Sequence, residues 1–303
     1  MVMFLSTNTN VIFIAGQTAS GKSLFALNLA RKLNGAIINA DSMQVYDTLH
    51  ILTSRPSDQE MKSIPHYLYG HVPAQEVYST GKWLSSAIKT IEEVKKNGFL
   101  PIIIGGTGLY FRALMGQISV IPDISTKIRE NIREKLKKHG SHVLYNELRD
   151  LDSIAAKQIH PSDAQRIARA LEVKVSSGRS ITEFWKKHSN PVINLEKAQK
   201  IIIMPEINEL KNRIILRFKK MLDSGAIDEV RNLLKMNLSF DLPIMKAIGV
   251  RDIIALLNGE INYDRTLQNG VIATNQYAKR QRTWLSNQFK DDWIRITSVD
   301  DLL

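Results

Sequence analysis

Val11-Ile12-Phe13-Ile14-Ala15-Gly16-Gln17-Thr18-Ala19-Ser20-Gly21-Lys22-Ser23 is the stretch around which the chain is organised. Its opening run of apolar, mostly β-branched residues predicts a buried parallel strand, and residues 23–33 predict a helix. Between them the spacing G-x-x-x-x-G-K-S is that of a phosphate-binding loop. Gly16 and Gly21 permit a tight turn and let backbone N–H groups approach an anion with no Cβ in the way. The helix N-terminus adds a partial positive charge and Lys22 a full one, while the Ser23 hydroxyl is placed to ligate Mg²⁺. The loop signals a polyphosphate. It does not say which one, or what is done to it.

Composition narrows the class. The chain has 303 residues, 44% of them hydrophobic, enough for one large or two modest domains with a real core. With no cysteine, disulfides and thiolate-bound zinc are excluded and a reducing compartment is compatible. The N-terminus lacks a basic region ahead of an apolar one, and no later apolar run reaches spanning length. A cytoplasmic protein without membrane association is therefore expected. A net charge of +11 favours a polyanionic partner, with nucleic acid ahead of a membrane surface.

Along the chain, Ala36-Ile37-Ile38-Asn39 predicts a second strand that delivers Asp41-Ser42-Met43-Gln44-Val45-Tyr46 at its carboxyl end. In open α/β sheets ligands sit at that end. An Asp there can reach a nucleophile held beside a bound phosphate, and Gln44 carries the donor and acceptor that pair with an adenine edge. Asp41-Ser42 also suits a helix N-cap, and both readings stay open. Residues 53–71 read as irregular. Residues 81–97 predict a helix, with Trp83, Leu84, Ala87, Ile88, Ile91 and Val94 on one stripe and Gly98 as its stop. A third strand over 101–105 ends in Gly105-Gly106-Thr107-Gly108, whose glycines allow close approach of a substrate backbone or base, or simply a turn.

From about 122 to 195 only helical periodicity is found, over 126–139, 142–150 and 162–173, before a buried strand returns at 200–204. This predicts a helical insertion, 122–195, within a core formed by 1–121 and 196–303. Arg166 and Arg169 share a helix face while Ile167, Ala170 and Leu171 point inward; the basic pair is either a solvated face or a nucleic-acid contact. Arg213 and Arg217, four apart on a helix over 209–224, can both point at one anion, and the arginine fork suits diphosphate. A last helix, 266–288, mixes Tyr277 and Trp284 with Lys279, Arg280 and Arg282, fit for stacking and phosphate contact or for burial of the two rings.

Taken in order, the phosphate loop, Asp41–Tyr46, Gly105–Phe111, Asp163–Val173, Ala247-Ile248-Gly249 and Gln276–Trp284 resemble the bacterial tRNA dimethylallyltransferases over nearly the whole chain. The expected fold is α/β: a P-loop NTPase-like parallel-sheet core, an all-helical insertion domain and a helical C-terminal part. The resemblance implies transfer of a dimethylallyl group from dimethylallyl diphosphate to N6 of adenine 37, beside the tRNA anticodon, with Mg²⁺ and by a monomer. It assigns Gly16, Gln17, Thr18, Ala19, Ser20, Gly21, Lys22 and Ser23 to the diphosphate, Ser23 to the metal, and Asp41, Thr107 and Arg217 to catalysis. Contacts to the tRNA anticodon stem-loop are implied for Asp41, Ser42, Met43, Gln44 and Thr107. In the insertion they are implied for Arg129, Gln165, Arg166, Ile167, Ala168 and Arg169. In the C-terminal part they are implied for Lys246, Arg251, Lys279, Arg280 and Gln281.

Three positions depart from the family pattern. Leu52-Thr53-Ser54-Arg55-Pro56 stands where Gly-Thr-Ala-Lys-Pro is expected, Tyr69-Gly70 where Asp is frequent, and Asn275 where Arg is common. Two other classes use the same loop. A small-molecule P-loop kinase or free-adenylate isopentenyltransferase has little need of a basic helical insertion. An NTP-driven RNA-binding module is disfavoured because Gly105-Gly106 leaves no acidic metal ligand at the end of the third strand.

Overall fold

The structure is a computed structural model describing residues 8–187, 189–290 and 292–298. Strands β1 (Val11–Gly16), β2 (Gly35–Asn39), β3 (His66–Tyr67), β4 (Leu100–Gly105), β5 (Ala198–Ile203) and β6 (Ile294–Ile296) form one sheet. Their order is β3-β2-β4-β1-β5-β6 and every pairing is parallel. The helices are α1 (Lys22–Leu33), α2 (Asp58–Ser63), α3 (Thr80–Lys96), α4 (Gly108–Leu114), α5 (Thr126–Leu151), α6 (Ser153–Ala156), α7 (Ala164–Ser177), α8 (Ile181–Trp185), α9 (Ile207–Met221), α10 (Ile227–Lys235), α11 (Val250–Leu257) and α12 (Tyr263–Gln288). The α/β class expected from the sequence is the one observed.

Both faces of the sheet are covered, as an all-parallel sheet requires. On one face Ile12, Ile14, Ile37, Ile102 and Ile104 pack against Phe25, Ala26, Leu29 and Ala30 of α1. On the other, Phe13 meets Phe111 and Trp293, and Phe289 stacks on Trp293 with centroids 4.1 Å apart. Helix α3 buries Trp83, Ala87, Ile91 and Val94 from the expected stripe and adds Thr90; Leu84 and Ile88 are only partly covered.

The chain divides into two compact units, 115–191 and the remainder, whereas the sequence suggests an insertion over 122–195. The neck lies earlier because Val192 N donates to Leu114 O at 3.1 Å, and Gly116 lies so close to the Ser189–Pro191 backbone that a Cβ would come within 2.5 Å of Pro191 N. The smaller unit is wholly helical. It has its own core of Ile132, Leu144, Leu148, Ile167, Ala170 and Leu171. Gly140 (φ 77°, ψ 175°) breaks α5 where the sequence separates 126–139 from 142–150.

The irregular segment 53–71 holds structure after all. A capping box between Ser57 and Glu60 starts α2, and β3 pairs along the edge of β2. The S-x-x-E spacing is a readable signal for the first. Two residues carry no periodicity that would reveal the second.

Candidate active site

The site follows from strand order. The phosphate loop leaves β1, Asp41 follows β2 and Thr107 follows β4, and these three strands are neighbours in the sheet. With β4 between them, β1 and β2 lie roughly 10 Å apart at the backbone, within reach of long side chains. Ala19 (φ 61°) and Gly21 (φ 86°) are both left-handed and coil the loop back on itself ahead of α1. The first-turn amides of α1 have no helical partners by construction and form an anion site.

The loop is braced from behind. Gln17 is buried and donates from Nε2 to Ala278 O at 2.9 Å, and its carbonyl accepts from Lys22 Nζ at 3.1 Å. Gln281 accepts from Thr18 N at 2.8 Å and donates to Gly106 O at 3.1 Å. Arg217 Nη2 donates to Thr18 Oγ1. Among the described residues the buried Ser20 Oγ and Gln17 Oε1 have no hydrogen-bond partner.

Two cations meet in this site. Part of the Lys22 side chain stays accessible, but its ammonium is enclosed. Burial pushes it down to about 8, with the Asp41 carboxylate opposing and Arg217 adding to the shift. Burial also lowers Arg217, to about 10, against the pull of Asp41. The Tyr69, Tyr277 and Tyr110 phenols are pushed up, by burial first and by the Asp41 charge as well, so all three stay protonated. The arrangement holds two desolvated cations and one carboxylate, and a diphosphate would relieve the repulsion between the cations.

Asp41 combines the two roles left open by the sequence. Its Oδ1 accepts from Met43 N at 2.8 Å and Gln44 N at 3.3 Å, a capping turn. Among the described residues Oδ2 has no hydrogen-bond partner. Asn39, fully buried, accepts from Asp41 N at 3.0 Å and donates to Asp41 O at 3.2 Å and Leu68 O at 3.0 Å. Trp83 Nε1 in turn donates to Asn39 O at 2.9 Å. Asn39 escapes the sequence reading, although an Asn two residues before the Asp at a strand end is an Asx-turn signal. Thr107 Oγ1 accepts from Ser42 N at 3.0 Å and lies 3.3 Å from Ser42 Oγ, tying the ends of β2 and β4 together.

Several expected roles need correction. Gln44 does not offer its amide donors to a base: Nε2 donates to Thr53 O and Ser54 O, both at 2.9 Å. Gln281, expected at the tRNA, is buried and spends its amide on bracing the phosphate loop. Ile167 and Ala168 lie in the core of the helical unit. Arg213 is held by Glu209 one turn away and only Arg217 joins the loop. Nor do the three glycines at the carboxyl end of β4 make room for substrate. A Cβ would sit 2.0 Å from Ala40 O at Gly105, 2.2 Å from Gln281 Nε2 at Gly106 and 1.8 Å from the Trp284 ring at Gly108.

The family departures find a physical reason in two cases. Arg55 donates from Nη1 to Tyr46 O and Asp47 O at 3.0 Å, and Gly70 (φ 52°) lies flat against its guanidinium; a Cβ would come within 2.3 Å. Arg55 and Gly70 thus fit together as a pair. Asn275 bonds back to Val271 O within α12.

Gln165, Lys246, Arg251, Lys279 and Arg280 are exposed, and Met43 and Arg129 are partly so. In the helical unit Arg166 and Arg169 line one hollow with Gln158 and Trp185. Arg166 pairs with Asp163 at 3.3 Å. Arg169 pairs with the buried Glu172 at 3.1 Å, which also draws in Arg133 at 3.6 Å.

A magnesium ion is typically held by one or two protein groups plus substrate phosphate oxygens and water. The exposed Ser23 in the first turn of α1 offers a hydroxyl of that kind beside the anion site, so the donor set fits.

Comparison with known proteins agrees over most of the chain. Residues 44–288 match the IPP transferase family. The tRNA dimethylallyltransferase of Rhizobium etli is 50% identical over 288 residues, 95% of this chain and 97% of that protein. That of Rhizobium meliloti is 45% identical over 302 residues, 100% of both. Among solved structures, a eukaryotic dimethylallyltransferase acting on tRNA superposes with a TM-score of 0.81 at 26% identity, over 96% of this chain and 75% of its own. The full-length tRNA isopentenylpyrophosphate transferase of Bacillus halodurans gives 0.67 at 29% identity, covering 95% and 89%. With relatives this similar matched from end to end, the chain belongs to the IPP transferase family.

Proposed function

We propose that this chain transfers a dimethylallyl group from dimethylallyl diphosphate to N6 of adenine 37 in the anticodon stem-loop of tRNA. Prenylation of tRNA is the activity that its relatives carry. Family membership displaces the small-molecule kinase and free-adenylate alternatives. The observation that carries the chemistry is the meeting of an uncommitted carboxylate oxygen on Asp41 with two desolvated cations, Lys22 and Arg217, at the carboxyl ends of three adjacent strands.

In the reaction the C1–O bond of the donor breaks as the N6–C1 bond forms. The diphosphate leaves carrying the bonding pair, and N6 loses one proton. Asp41 Oδ2 accepts that proton, while Lys22, Arg217 and the loop amides stabilise the charge growing on the diphosphate. Mg²⁺ at Ser23 adds Lewis-acid stabilisation of the same charge when bound. The adenine has to leave its stack for N6 to meet an allylic carbon. The phosphate loop therefore serves a prenyl diphosphate in place of a nucleotide. Among the described residues no helix is long and apolar enough to cross a membrane, and we read the enzyme as a cytoplasmic monomer.

The test offers radiolabelled dimethylallyl diphosphate with unmodified tRNA, with tRNA carrying another base at position 37, or with AMP. Label should enter only the first, in N6-(dimethylallyl)adenosine. Label in AMP, or equal label in the substituted tRNA, would overturn the assignment.

A further inference from the structure

The turn between β2 and α2 is fastened from two sides. On one, the Glu229 carboxylate of α10 gathers three successive backbone amides: Oε1 accepts from His50 at 2.8 Å and Ile51 at 2.7 Å, and Oε2 accepts from Leu52 at 3.0 Å. On the other, the Gln44 side chain donates to Thr53 O and Ser54 O. Within the turn Ser54 N donates to Ile51 O at 2.9 Å and Arg55 N to His50 O at 3.0 Å. Ile51 and Leu52 abut two glycines, where added Cβ atoms would lie 3.2 Å from Ile51 at Gly225 and 3.1 Å from Leu52 at Gly249. Gly249 belongs to the Ala247-Ile248-Gly249 motif, which here serves this packing.

Glu229 has no ion-pair partner among the described residues and no place in the chemistry above. Three amide dipoles on one carboxylate make strong, directional bonds. The turn that they hold bears on Asp41 through a short path. Gln44, anchored to the turn by its side chain, donates its backbone amide to Asp41 Oδ1.

We propose that Glu229 is a positioning residue for prenyl transfer. It fixes the 50–54 turn, the turn fixes Gln44, and Gln44 with Met43 locks one Asp41 oxygen so that the other faces the substrate amine. This rests on Asp41 being the base.

The experiment compares wild type, Glu229→Gln, Asp41→Asn and the double variant, with tRNA and dimethylallyl diphosphate in steady state. The Gln amide would set its N–H₂ against the Leu52 N–H, a donor facing a donor, and loosen the turn. Glu229→Gln should lower kcat roughly 10- to 100-fold, the scale of a small misplacement. KM for the donor should hold, while the melting temperature falls by about 2–4 °C for the lost carboxylate–amide bond. In the Asp41→Asn background the same change should cost little more, because the group it aims no longer acts. Wild-type kcat in Glu229→Gln overturns the inference, as does a loss that multiplies in full with that of a slow Asp41→Asn. Wild-type turnover in Asp41→Asn overturns the base assignment, and the inference with it. Should Glu229→Gln fail to fold, Gln44→Met severs the same path at its other end and must show the same non-additivity.

Discussion

Asp41 divides its work between its two oxygens. Oδ1 is occupied by the Met43 and Gln44 amides, and Asn offers an equivalent oxygen to both. Asp41→Asn should therefore keep the turn, the melting temperature and tRNA affinity, while turnover falls by about 10²–10⁴, the usual worth of a general base. Near-wild-type turnover would leave Asp41 a cap and nothing more. Lys22 makes a prediction in pH. Its folded value of about 8 lies below the ordinary 10.5, so between those values the unfolded chain holds a proton that the folded chain has lost. Stability from this group therefore rises with pH across that window, and below about 8 the cost of the buried charge is fully present. A bound diphosphate restores the proton. Calorimetry at roughly pH 9, in buffers of different ionisation enthalpy, should show proton uptake on diphosphate binding that fades towards neutral pH. Uptake that did not change with pH would remove Lys22 as its source.

At the scale of elements, α12 presents Ala278, Gln281 and Trp284, three apart in turn, along one face against the phosphate loop and the end of β4. Gly108 is the seat of the Trp284 ring. Gly108→Ala should cost about 1–3 kcal/mol by overpacking. It should also raise KM for the donor, because Gln281 sits one turn from the displaced ring. Thermal melting and donor kinetics together check this; an unchanged melting temperature would mean that the ring moves aside freely. The elements themselves are largely legible in the sequence, since strand and helix periods are local. What they press against is not. The glycines at 105, 106 and 108 look like an opening for substrate until Ala40, Gln281 and Trp284 are placed opposite them. Arg213 is a different case: Glu209 stands four residues before it, and that pairing was readable.

For the whole molecule, a compact helical unit is set into the chain of a parallel α/β unit. If the helical unit grips tRNA, its basic pair should show in the salt dependence of binding. Reversing the charge of Arg169 would set a carboxylate beside the buried Glu172, so the informative variant is neutral. Arg166→Gln with Arg169→Gln should weaken tRNA binding. It should lower the slope of log affinity against log salt by roughly 0.7 to 0.9 for each tRNA phosphate that is no longer neutralised. Donor KM should be unaffected. Superimposable salt lines would make the pair a solvated face.

The sequence alone determined the phosphate loop, the four central strands β1, β2, β4 and β5, the presence of a helical insertion and the position of Asp41. Each of these is written in contiguous residues whose backbone preferences and periodicity act locally. The tertiary structure alone decided that the Gln44 amide donors hold the 53–54 backbone and that Gln281 braces the phosphate loop, that Ile167 and Ala168 face a core, and that Arg217, not Arg213, reaches Thr18. It also brought Glu229 to the turn that holds Gln44. A polar side chain takes its role from the partner it meets. Here Gln281 meets Thr18, and Glu229 meets His50, across most of the length of the chain.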